Sequence, residues 1–127
     1  MNLKKALVLG AVVYITAFIL NLLVSLALIN GRDTQIILGI SGATITFILL
    51  IICTKTYFKS VQASFKEGLI FGLINAVIGV IIDTIITLLI DASKSFGNLN
   101  NPLFWAANLA IISISSFIGW YKKRKQL

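Results

Sequence analysis

Apolar residues run along this chain in four long blocks, separated by short polar stretches. The blocks are Ala6–Ile29, Ile36–Cys53, Gly68–Ile90 and Leu103–Tyr121, of 24, 18, 23 and 19 residues. Crossing a hydrocarbon core of about 30 Å takes about 20 helical residues. The second block reaches that length by running on through Thr54–Phe58, whose Tyr57 and Phe58 suit a membrane interface. The pattern therefore predicts helices over about 6–29, 36–57, 68–90 and 103–121. Transmembrane strands alternate in segments of about 10 residues. Helices satisfy their own backbone groups in lipid. The fold expected is an all-α integral membrane four-helix bundle, with 1–127 as a single membrane domain.

The polar stretches carry turn chemistry. Asn30-Gly31 predicts a tight stop after the first helix, and Asp91–Asn101 a longer connection. Pro102 suits the first turn of the fourth helix, with Asn101 as its cap. In the middle stretch, Thr54–Glu67, Phe58, Val61 and Phe65 fall on one helical face. They predict either a short interfacial helix or a continuation of the second helix. The first block is preceded by Lys4 and Lys5, yet it exceeds the core of a cleaved signal peptide, about 7–15 residues. It is expected to remain as a span.

Within the third block, Gly68, Gly72, Asn75, Gly79 and Asp83 are spaced 4, 3, 4 and 4. At about 100° per residue they share about 80° of arc. Gly68-x-x-x-Gly72 matches the small-residue pattern for close helix contact in membranes. The stripe predicts the face that packs on protein, with the Ile, Leu, Val and Phe faces left to lipid. A shift of 62 positions lays Ala6, Gly10, Ala17, Asn21 and Ser25 on Gly68, Gly72, Gly79, Asp83 and Thr87. This coincidence suggests a duplicated helical hairpin, helices 1–2 and 3–4. Such a repeat keeps its orientation, with an axis along the membrane normal.

Charge sets the orientation. Of eleven basic residues, nine lie on one side: Lys4, Lys5, Lys55, Lys59, Lys66, Lys122, Lys123, Arg124 and Lys125. Arg32 and Lys94 lie on the other. The positive-inside rule then places both termini and the middle stretch in the cytoplasm of a cell membrane. The net charge of +7 flanks spans, so its partner is the lipid bilayer and not nucleic acid. The tail Lys122, Lys123, Arg124 and Lys125 is an expected anchor for anionic headgroups, at about 1 kcal/mol per residue.

Only four residues are acidic, and Asp83 is the one inside an apolar block. A carboxylate at membrane depth costs about 2.5–3.5 kcal/mol even on insertion scales. Counting about 1.5 Å per residue from the outer helix ends puts Asp83 about 10 Å deep, Asn21 and Thr44 about 12 Å, and Ser41 and Asn108 about 8 Å. All four helices thus bring a polar side chain to one layer. That layer serves either as packing glue or as an ion or proton site, with Arg32 a second candidate partner for Asp83.

Catalysis is not expected. The chain has no histidine and a single cysteine, Cys53. Acid–base and nucleophilic sites need such groups within hydrogen-bond reach, and Ser113, Ser115 and Ser116 have no visible base. No metal site and no cofactor motif is present. The function expected is a small structural or accessory membrane subunit. The alternative is an oligomeric small transporter, or an ion or proton pathway using Asp83. A homo-oligomer or another membrane protein is the expected protein partner, since four short helices enclose little volume.

In plan, four short helices with an acid in the membrane, the chain is similar to small multidrug-resistance transporters. That likeness implies a transporter-like bundle. The family's acid is a glutamate in the first helix, where this chain has Asn21, so no residue role carries over. The chain also resembles small uncharacterised four-helix membrane proteins of prokaryotes, which implies a fold and no activity.

Overall fold

A computed structural model describes residues 2–27, 34–90 and 101–126. The Asn30-Gly31 turn, the outer charges Arg32 and Lys94, and most of the 91–101 connection lie outside the described residues. So does the contact considered between Arg32 and Asp83. Four helices make up the fold: α1 (Leu3–Ala27), α2 (Thr34–Tyr57), α3 (Phe65–Ile90) and α4 (Pro102–Gln126). Among the described residues there is no strand. Helices of 24 to 26 residues are about 36–39 Å long, which exceeds a hydrocarbon core. Each is apolar enough to cross a membrane. Their outward faces carry side chains as exposed as Leu89 (82%) and Leu103 (76%). Surfaces of that kind are stable only against lipid or other apolar partners. The chain has the build of a multi-pass membrane protein.

Local chemistry sets the helix ends. Asn2 caps α1, its Oδ1 accepting from the backbone N of Lys5 at 3.0 Å. Asn101 caps α4 in the same way, accepting from Leu103 N at 3.0 Å, with Pro102 in the first turn. Ser64 caps α3 by accepting from Glu67 N at 3.1 Å. Ser64-Phe65-Lys66-Glu67 is the spacing of a capping box, and the Glu67 carboxylate also accepts from the Tyr57 hydroxyl at 3.2 Å. Two lysines from other helices close the C-terminus of α2. Lys5 Nζ donates to Thr56 O at 3.1 Å, and Lys122 Nζ donates to Lys55 O at 3.1 Å. Cations at that end complement the helix dipole.

The middle stretch differs from expectation. Thr54–Tyr57 complete α2, and the chain then turns through residues 58–64 with no interfacial helix. Phe58 is buried and Val61 packs on the same core, whereas Phe65 is 54% exposed. The Ser64 cap explains this. It restarts the helix in a new direction at Phe65 and takes that side chain away from the other two.

Helices α1 and α2 pair, α3 and α4 pair more extensively, and α1 lies beside α3 and α2 beside α4. The remaining combinations, α1 with α4 and α2 with α3, hardly touch. The helices therefore run 1-2-4-3 around the bundle. A two-fold axis along the bundle would set α1 diagonally from α3, so the expected repeat axis is excluded. The matched stripes also do different work. Gly72 packs on α4, but its counterpart Gly10 packs on Asn75 and Ile78 of α3.

The two halves of the bundle are unlike. At the end that gathers Asn2, the 58–64 turn and Lys122, here called the terminal end, the helices are in close contact. Tyr57 is wholly buried, stacked on Phe71 at 4.6 Å and edge-on to Phe58 at 5.4 Å, with Ala6 and Ala63 beside them. Gly68 and Gly72 press α3 onto the α4 backbone. A Cβ on Gly72 would stand 2.7 Å from Ile112 Cα, and one on Gly68 would stand 2.9 Å from Ser116 Cα. The far half is open. Beyond Ala17 in α1, before Leu50 in α2 and beyond Gly79 in α3, no described side chain is buried; in α4 before Ile111 only Asn108 is.

Candidate functional site

Splaying of the far half leaves a cavity of about 310 Å³ between all four helices. Its floor begins where the tight packing ends, near Ala17, Gly79 and Ile111. The polar side chains in its wall are Tyr14 and Asn21 from α1, Thr46 from α2, Asp83 from α3 and Asn108 from α4. Phe18, Phe47 and Phe104 contribute aromatic surface.

Of the polar layer expected from depth, Asp83, Asn21 and Asn108 do meet here. Ser41 and Thr44 do not. Ser41 Oγ donates to Leu38 O at 3.1 Å, and Thr44 is exposed, its hydroxyl donating to Ile40 O at 2.8 Å. α2 is rotated so that Gly42, Ala43, Thr46 and Phe47 line the cavity instead. Depth along a helix is fixed by counting, but rotation about its axis is not. Small polar residues lie all around this part of α2, so no face stood out.

Tyr14 and Thr46 are the wall residues the sequence pattern did not single out. Tyr14 had a signal: with Ala17 and Asn21 it forms a 3, 4 spacing on one face. Its ring occupies the space above Gly79, where a Cβ would stand 2.7 Å from Cε1 and closer to Cζ and Oη. Gly79 is therefore a seat for Tyr14, one turn before Asp83. Asn75 is not in the wall. It is wholly buried below the cavity, donating from Nδ2 to Phe71 O at 2.8 Å, with its Oδ1 against Gly10 and no hydrogen-bond partner in the protein.

Two side chains of the wall bond back to their own helices. Asn108 gives its amide N–H to Phe104 O at 2.9 Å. Thr46 gives its hydroxyl proton to Gly42 O at 2.8 Å. Asn21 Oδ1 is a buried acceptor with no hydrogen-bond partner, lying where Gly42 leaves room for it. With the Asp83 carboxyl, the Tyr14 hydroxyl and the Asn21 and Asn108 amides, the wall sets donors as well as acceptors around a largely apolar space. A pocket of this kind selects by a few convergent polar groups on an apolar lining. Among the described residues, no three Cys, His, Asp or Glu side chains come together as a metal site.

The basic tail continues α4 as helix to Gln126, past the expected end at Tyr121. Lys122 turns inward to cap α2, while Lys123, Arg124 and Lys125 stay exposed. Arg124 lies over the Trp120 ring at 4.3 Å and Lys125 over Tyr121 at 5.1 Å. Cysteine 53 is buried. No family model matches the chain, and neither does any curated protein or solved structure.

Proposed function

We propose that the chain is a small membrane transporter or cation pathway that binds its cargo at Asp83. One observation supports this above others: the cavity holding Asp83 is accessible in the far half, while the terminal half is shut by Gly68, Gly72 and the Tyr57–Phe71 stack. An intramembrane site, about 10 Å below the outer helix ends, that faces one side of a bundle closed on the other is compatible with one state of alternating access. Intramembrane acids mark such pathways. The basic residues of the terminal end favour the cytoplasm for that end, so the cavity faces outward. A passage through needs the terminal half to part, or a second copy to complete the path.

A purely structural or accessory role has less support. The exposed hydroxyls of Thr44 and Ser113 turn back onto carbonyls of their own helices, at 2.8 Å each. The outer surface at those points suits lipid and calls for no protein partner. With no histidine in the chain and one carboxylate in the cavity, binding fits better than catalysis.

The test is cation flux into liposomes that carry the purified protein. Flux should be present with the native chain and fall at least tenfold in Asp83→Asn, with helix content unchanged. Flux equal in the two proteins rejects the proposal.

A further inference from the structure

Helix α4 carries an exposed aromatic face into its last turns. Phe117, Trp120, Tyr121 and Arg124 follow an i, i+3, i+4, i+7 spacing, which puts them within about 100° of arc. All four are exposed. The Phe117 ring stands 5.7 Å from that of Trp120 and 6.3 Å from that of Tyr121, so the three rings form one plate. Two cations from the next turn lie on it. Arg124 is 4.3 Å from the centre of the Trp120 ring and Lys125 is 5.1 Å from the centre of the Tyr121 ring. Helical side chains lean toward the N-terminus, so both cations bend back toward the spanning part of α4.

Depth gives this plate its setting. α4 has 25 residues, more than the roughly 20 that a hydrocarbon core needs. Its last turns therefore reach the headgroup layer, where Trp and Tyr rings concentrate. Toward the core from the plate, the surface stays apolar. Leu109 is exposed, and Ser113 turns its hydroxyl onto Leu109 O at 2.8 Å. A ring that holds a guanidinium by its flat side leaves the in-plane N–H donors at the edge. Those donors match two oxygens of a phosphate. Lys125, one residue on, brings a second charge and three more N–H groups. The other two basic residues of the tail are placed differently. Lys122 donates to Lys55 O, and Lys123 lies about 100° round the helix from Arg124.

From this geometry we infer that α4 binds one anionic phospholipid at a discrete site. The phosphate sits at Arg124 and Lys125 over the ring plate, and an acyl chain runs along Phe117 toward Leu109. Positive charge selects an anionic occupant, and the apolar strip selects a lipid over a soluble anion. With the terminal end in the cytoplasm, the leaflet concerned is the negatively charged one. A run of basic residues alone attracts a charged surface diffusely. Here the rings fix two of the four cations in place, which makes a site. It is separate from the Asp83 cavity and does not depend on transport.

The experiment is native mass spectrometry of the protein released from phosphatidylcholine nanodiscs. It is titrated with phosphatidylglycerol of the same acyl chains and with glycerol phosphate. One phosphatidylglycerol should be retained per chain, at least tenfold tighter than either phosphatidylcholine or glycerol phosphate. Arg124→Gln should weaken it at least about tenfold, the loss of a charge-assisted bond. Trp120→Leu keeps every charge and should weaken it at least threefold, because Arg124 loses its seat. Lys123→Gln removes the same charge one residue away and should cost less than about threefold, as for an exposed, screened charge. Lys125→Gln serves as a second test should Arg124→Gln fail to fold. If Lys123→Gln weakens binding as much as Arg124→Gln, the attraction is diffuse and the site is overturned. Equal retention of phosphatidylcholine overturns the anionic class. Glycerol phosphate binding as tightly as the lipid overturns the acyl-chain strip.

Discussion

The ring of Tyr14 on α1 occupies the place where a side chain on Gly79 of α3 would stand. This contact joins the two helices at the floor of the cavity, one turn from Asp83. A methyl group at Gly79 must push the ring aside. Overpacking of this kind costs about 1–3 kcal/mol. Gly79→Ala should therefore destabilise the native chain by about that much and be far milder in a Tyr14→Leu background. A double-mutant cycle by denaturant titration in mixed micelles measures the coupling. Equal losses in both backgrounds would show that the two residues do not meet.

Gly72 makes the corresponding prediction for the terminal half. Gly72→Leu should separate α3 from α4 and cost about 1–3 kcal/mol or more. The control is Val77→Leu on the same helix, where the side chain is 57% exposed and the change should stay within about 0.5 kcal/mol. The same unfolding titration distinguishes them.

Ser64 should matter through its hydroxyl alone. Ser64→Ala removes the acceptor for Glu67 N and should cost about 1 kcal/mol. Ser64→Asp should keep most of the stability, because a carboxylate caps the same amide. A thermal melt of the two variants side by side checks the order.

The α2 C-terminus predicts a sensitivity to charge. Lys5→Met and Lys122→Met keep the apolar stems but remove the cations from Thr56 O and Lys55 O. Each should cost about 0.3–1 kcal/mol at low salt. The difference from the native chain should shrink as salt is raised, since exposed charges are screened within about 10 Å at 0.1 M. A loss independent of salt would point to packing of the stems instead.

Much of this was legible in the chain because membrane helices obey simple geometry. Apolar length gave the four helices to within a turn or so. Counting along each axis brought Asp83, Asn21 and Asn108 to one level, and they share one cavity. Gly68, Gly72 and Gly79 of the glycine stripe are all buried. What stayed hidden depends on rotation and direction. Ser41 and Thr44 sit at the right depth but on the wrong faces of α2. Phe58, Val61 and Phe65 share a helical face only if no turn intervenes, and the Ser64 cap makes one. The likeness between the α1 and α3 stripes describes composition. It could not tell that Gly10 meets α3 while Gly72 meets α4.

The contrast between the two halves has a consequence for how the molecule breathes. Side-chain bonds between helices from Asn2, Lys5, Tyr57 and Lys122 gather at the terminal end, together with the Gly68 and Gly72 contacts. Regions with few buried contacts open at a small fraction of the global unfolding free energy. Deuterium uptake should therefore fall into two classes along every helix, with amides near Ala6, Leu50, Phe71 and Ser115 holding their protons longest. The lightly packed far half is therefore the part of the bundle that should open first, while the terminal end stays closed.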